Sequence, residues 1–521
     1  MRGLCKFHPV LPCERAAEFE EEILGSDTGK IREAMTRVSE ALAHQLLCDF
    51  NEFRPMPRDP RILVVAGKGH NGGDALLAGR LLLRSRPRGE AVIWPMVDPS
   101  GFSPLAREAF DSFVKEDHCT VLPVAEAAFD ALGRQHFDIC LDGILGMRFE
   151  PPMQGWMAAI VEFLNGMDIG FRAAVDLPSG LCKDTDAPVC RADFTYATGI
   201  LKSPLLEHDA LKWTGRLRYL DIGFFDDGMG GKDCPADWFA GRQVLTDAVL
   251  ADLRKLRHPD CDKRSHGHLF VIAGSKEMPG AALLAVKAAL RSGVGLVTAF
   301  VPETYAPAFA AEAPEAMWVP CEENEEGGLS LEAEVHIRKK LSRATALVIG
   351  PGIGTSLETR AVVEEVIRNT TIPVVLDADA LQQALVSKIK GPYVLTPHVG
   401  EFARLSSSVP EVVSPERLWD YMKNFGLEGA VVLKGPNSWV ASGDSLAMSP
   451  FGSSVLARAG SGDMLSGLIG GLLAKGFTAV DAARMGVVWH GQAGEYLARY
   501  MGHVAVSSSK LLNYLHEPLR L

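Results

Sequence analysis

In Ala459-Gly460-Ser461-Gly462-Asp463, glycine, serine and glycine stand directly before an acid and before residues 464–475, an apolar, glycine-containing stretch suited to a buried helix. Successive backbone N–H groups at such a helix start make an anion hole, able to hold a phosphate or the charge that develops on a phosphoryl group in transfer. The Asp463 carboxylate beside that hole can take a proton from an attacking hydroxyl, which is kinase-like machinery. Alone, a Gly-Ser-Gly-Asp run is more simply a capped turn. Three companions argue for a ligand crevice instead: Gly350-Pro-Gly-Ile-Gly354, Thr396-Pro-His398-Val-Gly400-Glu401 and Leu433-Lys434-Gly435 each follow an apolar run and end in a break.

A second constellation lies early in the chain. The run 61–66 empties into Gly67-Lys-Gly69-His70-Asn71-Gly72-Gly73-Asp74, and residues 75–83 then read as a helix. Glycines allow a ligand close to the backbone, and a helix start favours anionic groups such as pyrophosphate. Two later strand ends carry acids, Leu141-Asp142-Gly143 and Val175-Asp176-Leu-Pro178-Ser179-Gly180. In an open parallel sheet these turns converge, and acids there position ligands or ions or move protons.

Parallel α/β units are the elements that would position such residues. The first half repeats an apolar run, a Gly or Pro break and a helical stretch, with runs at 62–66, 91–97, 137–141, 172–177, 194–198 and 217–222. The pattern stops at the Gly-rich stretch 226–232 and restarts with runs at 268–273, 295–300, 346–349, 373–376, 393–395 and 430–433. The halves show no mutual periodicity, so two different α/β domains are expected, 1–225 and 255–521, with 226–254 as linker. The length of 521 residues fits that division, and 47% hydrophobic with 23% charged residues is a globular composition.

Net charge of -12 argues against a nucleic-acid partner without arguing against a single nucleotide. No apolar run approaches the roughly 18 residues of a membrane span, and an acidic start is not expected of a signal peptide. Ten cysteines without a C-x-x-C pair suggest reduced thiols in a cytoplasm rather than zinc ligands or a disulfide scaffold. His266 and His268 read as polar residues at a strand entry, and His490 as a packed helix residue.

The set Asn71-Gly-Gly-Asp74, Asp142 with Gly146, Asp176-Leu-Pro-Ser179-Gly180, Ala192-Asp193-Phe-Thr195 and Lys202 resembles the NAD(P)H-hydrate epimerase family over roughly residues 10–225. The resemblance implies a Rossmann-like three-layer domain that interconverts the R and S forms of hydrated NADH or NADPH. It implies K+ on Asn71, Asp142 and Ser179, oxygen donors of the kind a hard cation prefers. It implies that His70, Asn71, Gly72, Gly73, Asp74, Gly146, Arg148 and Asp176 hold substrate, with Asp176 in proton transfer. Two departures stand out. The first of two usual asparagines is His70, and the usual Gly-Thr-Gly turn is Gly146-Met147-Arg148, where the arginine can meet a phosphate.

The second half resembles the NAD(P)H-hydrate dehydratase family of the ribokinase-like superfamily over roughly residues 255–510. The resemblance rests on Val271-Ile-Ala-Gly274-Ser275, Pro279-Gly280-Ala281-Ala282, Gly350–Gly354, Asp377-Ala378-Asp379, Thr396–Glu401, Lys434-Gly435 and Ala459–Asp463. It implies nucleotide-dependent phosphorylation of the S hydrate and elimination of phosphate. In that reaction Asp463 is the base, Gly460, Ser461 and Gly462 form the anion hole, and Ala459 lies in the nucleotide site with them. Gly354 and His398 meet the hydrate, and Lys434, Gly435 and Ser438 meet the nucleotide. The implied cofactors are Mg2+ and ADP as phosphoryl donor, with ATP as the alternative. Self-association into a homo-oligomer is a base-rate expectation for a soluble enzyme. Two rivals follow from the same residues: a vitamin or sugar kinase, and an N-terminal half that only binds ligand.

Overall fold

Ile62, Val64 and Ala66 point to one face of a strand and Leu63 and Val65 to the other, and all five are buried because both faces carry helices. This strand belongs to the computed structural model of the chain, which describes residues 5–182, 187–207, 209–226, 229, 238, 241–423, 428–443 and 445–520. The chain divides into two units, Met1–Phe239 and Ala240–Leu521.

The strands of the first unit include β1 (Phe7–Leu11), β2 (Arg61–Ala66), β3 (Glu90–Pro95), β4 (Cys119–Val121), β5 (Ile139–Gly143), β6 (Arg172–Val175), β7 (Phe194–Thr198), β8 (Leu201–Lys202) and β9 (Arg216–Leu220). Seven of them form a sheet in the order β9-β7-β6-β5-β2-β3-β4, with every neighbouring pair parallel. Its principal helices are α1 (Cys13–Leu24), α2 (Thr28–Phe50), α3 (His70–Ser85), α4 (Pro104–Phe113) and α5 (Gly155–Gly166). One core cluster joins α2, α3 and α4 to the sheet and another joins α5 to its opposite face, which gives the three layers expected. Successive connections run outward from β2 through β3 to β4, and from β5 through β6 and β7 to β9. The order therefore reverses between β2 and β5, and the loops leaving those two strands diverge into a crevice.

In the second unit the strands are β10 (Arg242–Leu245), β11 (His268–Ile272), β12 (Leu296–Pro302), β13 (Met317–Cys321), β14 (Ala346–Ile349), β15 (Val374–Leu376), β16 (Tyr393–Leu395), β17 (Gly429–Leu433), β18 (Ser438–Ala441) and β19 (Leu446–Ser449). Their order is β10-β19-β18-β17-β16-β15-β14-β11-β12-β13, parallel except for β17-β18 and β18-β19. Here the order reverses between β11 and β14. Helices α6 (Pro279–Arg291), α7 (Leu357–Arg368), α8 (Val399–Leu405), α9 (Ser461–Ala474) and α10 (Ala479–Met501) pack on it. As expected of an apolar, glycine-containing stretch, α9 is buried nearly throughout. Its glycines are the contact surface: a Cβ on Gly467 would lie 2.1 Å from the Ala285 carbonyl oxygen of α6, and one on Gly470 would lie 2.1 Å from Val348 of β14.

Three differences from the sequence reading have physical causes. Residues 242–254, assigned to the linker, form β10 and a 3-10 helix (Asp247–Arg254) of the second unit, because β10 pairs with β19, a partner about 200 positions distant. The rest of the proposed linker lies outside the described residues, apart from Asp226, Met229, Trp238 and Gly241. The helix expected from residue 75 begins at His70, so the glycines are its first turns. A Cβ on Gly72 would lie 2.1 Å from the Gly67 carbonyl oxygen and one on Gly73 would lie 2.4 Å from Met35 Cε. Finally, the hairpin of β18 and β19 has no counterpart in the sequence reading.

Candidate active sites

At the first crevice the three predicted turns meet. Leaving β2, Gly69 caps α3 in extended backbone, and His70, Asn71 and Asp74 line a cavity of about 480 Å3 with Gly146, Arg148 and Asp176. Gly72 and Gly73 do not line it. Both are buried, turned toward Gly67 and Met35, and serve packing where substrate contact was expected. Apolar side chains of α1, α2 and the stretch after β9, among them Leu24, Met35, Val38 and Phe224, complete the wall.

Asp176 follows β6 with φ +67°, a conformation that aspartate tolerates better than most side chains and that aims its carboxylate inward. Lys202 Nζ donates to Asp176 Oδ1 at 2.5 Å and to the Thr198 carbonyl at 2.8 Å. Thr198 Oγ1 adds a contact at 3.2 Å. Lys202 is completely buried. Burial opposes its charge, and the Asp176 and Glu20 carboxylates outweigh burial and hold its pKa above the ordinary value. Asp74 is pushed well up by burial and by the carboxylates of Asp176 and Glu20, and its Oδ1 has no hydrogen-bond partner among the described residues. Burial and the nearby Arg148 hold His70 below its usual value, so it faces the cavity as a neutral ring.

Asn71, Asp142 and Ser179 are drawn together around one peptide. Asn71 Nδ2 donates to the Leu145 carbonyl at 2.9 Å, the Leu145 amide donates to Ser179 Oγ at 2.9 Å, and Ser179 Oγ donates to Asp142 Oδ1 at 2.6 Å. With its nitrogen spent on Leu145, Asn71 keeps its amide oxygen for a ligand. The three residues thus present amide, carboxylate and hydroxyl oxygens, a donor set of the kind a hard cation prefers. Burial raises the Asp142 carboxyl, and the Ser179 hydrogen bonds pull it part of the way back.

The second crevice is built from strand ends on one side and α9 on the other. Gly460 caps α9 with φ +88°, a left-handed conformation suited to glycine, and a Cβ there would lie 2.5 Å from Leu284. The first amides of a helix have no partner within it, so those of Gly462 and Asp463 are left for an anion. His490 of α10 braces this turn from behind. Its Nε2 lies 3.1 Å from the Ser461 carbonyl oxygen and 3.2 Å from Ser461 Oγ, and burial lowers its pKa to about 4, so it is neutral. It is a packed helix residue, as expected, with a supporting contact to the turn.

Across the crevice, Asp377 at the end of β15 accepts from Lys434 Nζ at 3.0 Å, from Thr396 Oγ1 at 2.7 Å and from Ser466 Oγ at 2.5 Å. Lys434 also lies 3.8 Å from Glu401 Oε2. Burial opposes the Lys434 charge, and Asp377 and Glu401 outweigh it and raise its pKa. The Asp463 carboxyl is pushed up to about 6, chiefly by burial and then by Asp377, with Lys434 pulling the other way. A Cβ on Gly462 would stand 3.2 Å from Lys434 Nζ, so the lysine faces the α9 turn.

His398 caps α8, with Nδ1 accepting from the Gly400 amide at 2.9 Å, and its side chain is more than half exposed. The Gly354 amide donates to Asp379 Oδ2 at 3.0 Å. Gly435 is exposed beyond Lys434, and Ser438 opens β18 opposite Ser449. Ala459 is exposed just before the α9 cap, its carbonyl oxygen held by Ser508 Oγ at 2.7 Å.

Two residues of these sites were given no role from the sequence, Asp377, quoted only within a matched stretch, and Glu20. Asp377 was legible by the strand-end rule that singled out Asp142 and Asp176. Glu20 sits in the acidic run Glu18-Phe-Glu20-Glu-Glu22, which resembles a solvated face, yet it shares a stripe with buried Ala16, Phe19 and Ile23 and lines the first cavity.

Comparison with known proteins bears on both crevices. The family profile "NAD(P)H-hydrate dehydratase" matches residues 269–517, and "YjeF-related protein N-terminus" matches residues 32–203. A protein of Moorella thermoacetica named bifunctional NAD(P)H-hydrate repair enzyme Nnr is 32% identical over 90% of this chain and 89% of its own. The Gloeobacter violaceus protein of the same name is 34% identical over 96% of this chain and 95% of its own. Among solved structures, ADP/ATP-dependent NAD(P)H-hydrate dehydratase from Bacillus subtilis, co-crystallised with ATP/Mg2+, is 29% identical with a TM-score of 0.45, covering 53% of this chain and 97% of that one.

Proposed function

The chain belongs to the family of bifunctional NAD(P)H-hydrate repair enzymes, and from that membership we propose how its two crevices divide the work. The first unit interconverts R and S hydrates of NADH and NADPH, and the second dehydrates the S form with a nucleotide as phosphoryl donor. The observation carrying this reading is that each unit brings an acid and a lysine together at its crevice, Asp176 with the fully buried Lys202 in the first and Asp463 with Lys434, which faces the α9 turn, in the second.

In the second unit Asp463 takes the proton of the substrate hydroxyl as its oxygen attacks the terminal phosphorus of ADP, so that AMP leaves. The amides opening α9, behind Ala459, Gly460, Ser461 and Gly462, meet the charge on the transferring group. Lys434 stabilises the same charge, with Gly435 and Ser438 along the nucleotide, while Gly354 and His398 hold the hydrate. Phosphate then departs, because it is a far better leaving group than hydroxide. The ring nitrogen's lone pair drives C–O cleavage, and loss of a proton from the adjacent carbon restores the nicotinamide. Mg2+ would supply charge neutralisation on the phosphates.

In the first unit the amide start of α3 receives the pyrophosphate with Arg148, while His70, Asp74 and Gly146 surround the substrate. Asp176 transfers protons at the hydrated ring, its charge compensated by Lys202. Asn71, Asp142 and Ser179 would hold K+, which would supply a positive charge to the site. The cytoplasm is the proposed compartment, from the scattered, motif-free cysteines.

Incubating the full chain with mixed R and S hydrates of NADH, Mg2+, K+ and ADP tests this reading. Both epimers should disappear as reduced-nicotinamide absorbance returns. Consumption of the S form alone removes the epimerase assignment, and a stable phosphorylated product removes the dehydratase assignment. Omitting K+ should slow the R form alone.

A further inference from the structure

Interconverting epimers of a hydrated dihydronicotinamide calls for proton transfer twice at the carbon beside the ring nitrogen. The hydroxyl must gain a proton as the C–O bond breaks and the nitrogen lone pair closes a C=N bond. The water that returns on the opposite face must lose one as the new C–O bond forms. Asp176 serves one of these events, and a second acid on a different element faces the same cavity.

Glu20 projects from α1, whereas Asp176 follows β6 and Asp74 belongs to α3, and all three line the 480 Å3 cavity. The groups facing Glu20 are Lys202 of β8, Asp176, Arg148 of the loop after β5, and Asp74. Burial pushes the Glu20 carboxyl up to about 7, with Asp176 adding to the rise and Lys202 and Arg148 opposing it. Unlike Asp176, Glu20 has no direct ion pair with Lys202, whose Nζ is engaged by Asp176 and Thr198. A cavity holding one lysine-compensated carboxylate, a second carboxyl from a different element that still carries its proton in part near neutrality and the orphaned Asp74 Oδ1 is arranged for a polar ligand that exchanges protons on two sides.

We infer that Glu20 donates the proton to the departing hydroxyl while Asp176 accepts the proton from the returning water. One pass leaves Glu20 ionised and Asp176 protonated. That state carries the opposite epimer back, and proton exchange with solvent resets the pair, so no other reactant is consumed. This assignment rests on the epimerase reading above.

The test uses the full chain, measuring R-to-S interconversion against pH for the parent, Glu20→Gln and Glu20→Asp, with melting of each variant and binding of the hydrate by calorimetry. Glu20→Gln should lower kcat by about 10²–10⁴-fold with KM changed by less than about threefold. The parent rate should fall as pH rises through about 7, and this limb should vanish in Glu20→Gln and return with part of the rate in Glu20→Asp. Full kcat in Glu20→Gln, or survival of the same alkaline limb, overturns the assignment. So does lost binding with unchanged kcat, which would make Glu20 a substrate contact only. If the parent itself does not interconvert epimers, the epimerase reading fails before Glu20 is reached.

Discussion

Lys434 Nζ lies 3.0 Å from Asp377 Oδ1, an ion pair joining the ends of two strands that flank β16. Asp377 is almost fully buried, and its other oxygen accepts from Ser466 in the second turn of α9. One carboxylate therefore fixes the lysine and the helix whose amides face it. Asp377→Ala leaves Lys434, Thr396 and Ser466 without their acceptor. We expect a loss of about 3 kcal/mol or more in the unfolding of the second unit and loss of nucleotide-dependent turnover, read by urea denaturation and nicotinamide absorbance. Unchanged denaturation would show that the pair contributes nothing.

Asp463 should set the acid limb of the dehydratase reaction. A base must be ionised, and this carboxyl is raised to about 6, so the rate should fall as pH drops below about 6 and level off above. Asp463→Asn should lower turnover by about 10²–10⁴-fold and erase that limb. A pH profile identical in parent and variant would remove Asp463 from proton transfer.

Lys202 is the completely buried partner of Asp176. Lys202→Met strands a buried carboxylate, at an expected cost of about 3–5 kcal/mol. Adding Asp176→Asn should recover part of that loss. A double-mutant cycle by thermal or chemical unfolding measures the coupling, and simple additivity would mean the two groups do not interact.

Gly72→Ala separates packing from substrate contact. Its Cβ would lie 2.1 Å from the Gly67 carbonyl oxygen, so α3 must move off the loop that follows β2. We expect lower stability of the first unit, by about 1–3 kcal/mol as in overpacked cores, and loss of epimerisation with dehydratase turnover intact. Normal stability and normal epimerisation together would show that the helix accommodates the methyl group.

Much of both crevices was legible in the sequence because strand-end turns are local. A run such as 61–66 followed by glycines, or an acid directly after 139–141 or 172–175, announces its own position at the carboxyl edge of a parallel sheet. Asp377 obeys the same rule. Glu20 does not, since its neighbours are acidic and only its spacing from Ala16, Phe19 and Ile23 marks the buried side of α1.

The sequence by itself determined two α/β units, the glycine-rich helix starts and most of the acids at the strand ends. Those follow from periodicity and turn chemistry within about ten residues. Only the tertiary structure decided which glycines face ligand and which face backbone, that Lys202 neutralises Asp176, and that residues 242–245 are a strand. Each of these depends on partners far apart in the chain, and burial, which sets the charge of Asp463, Glu20 and Asp74, exists only once those partners have closed around them.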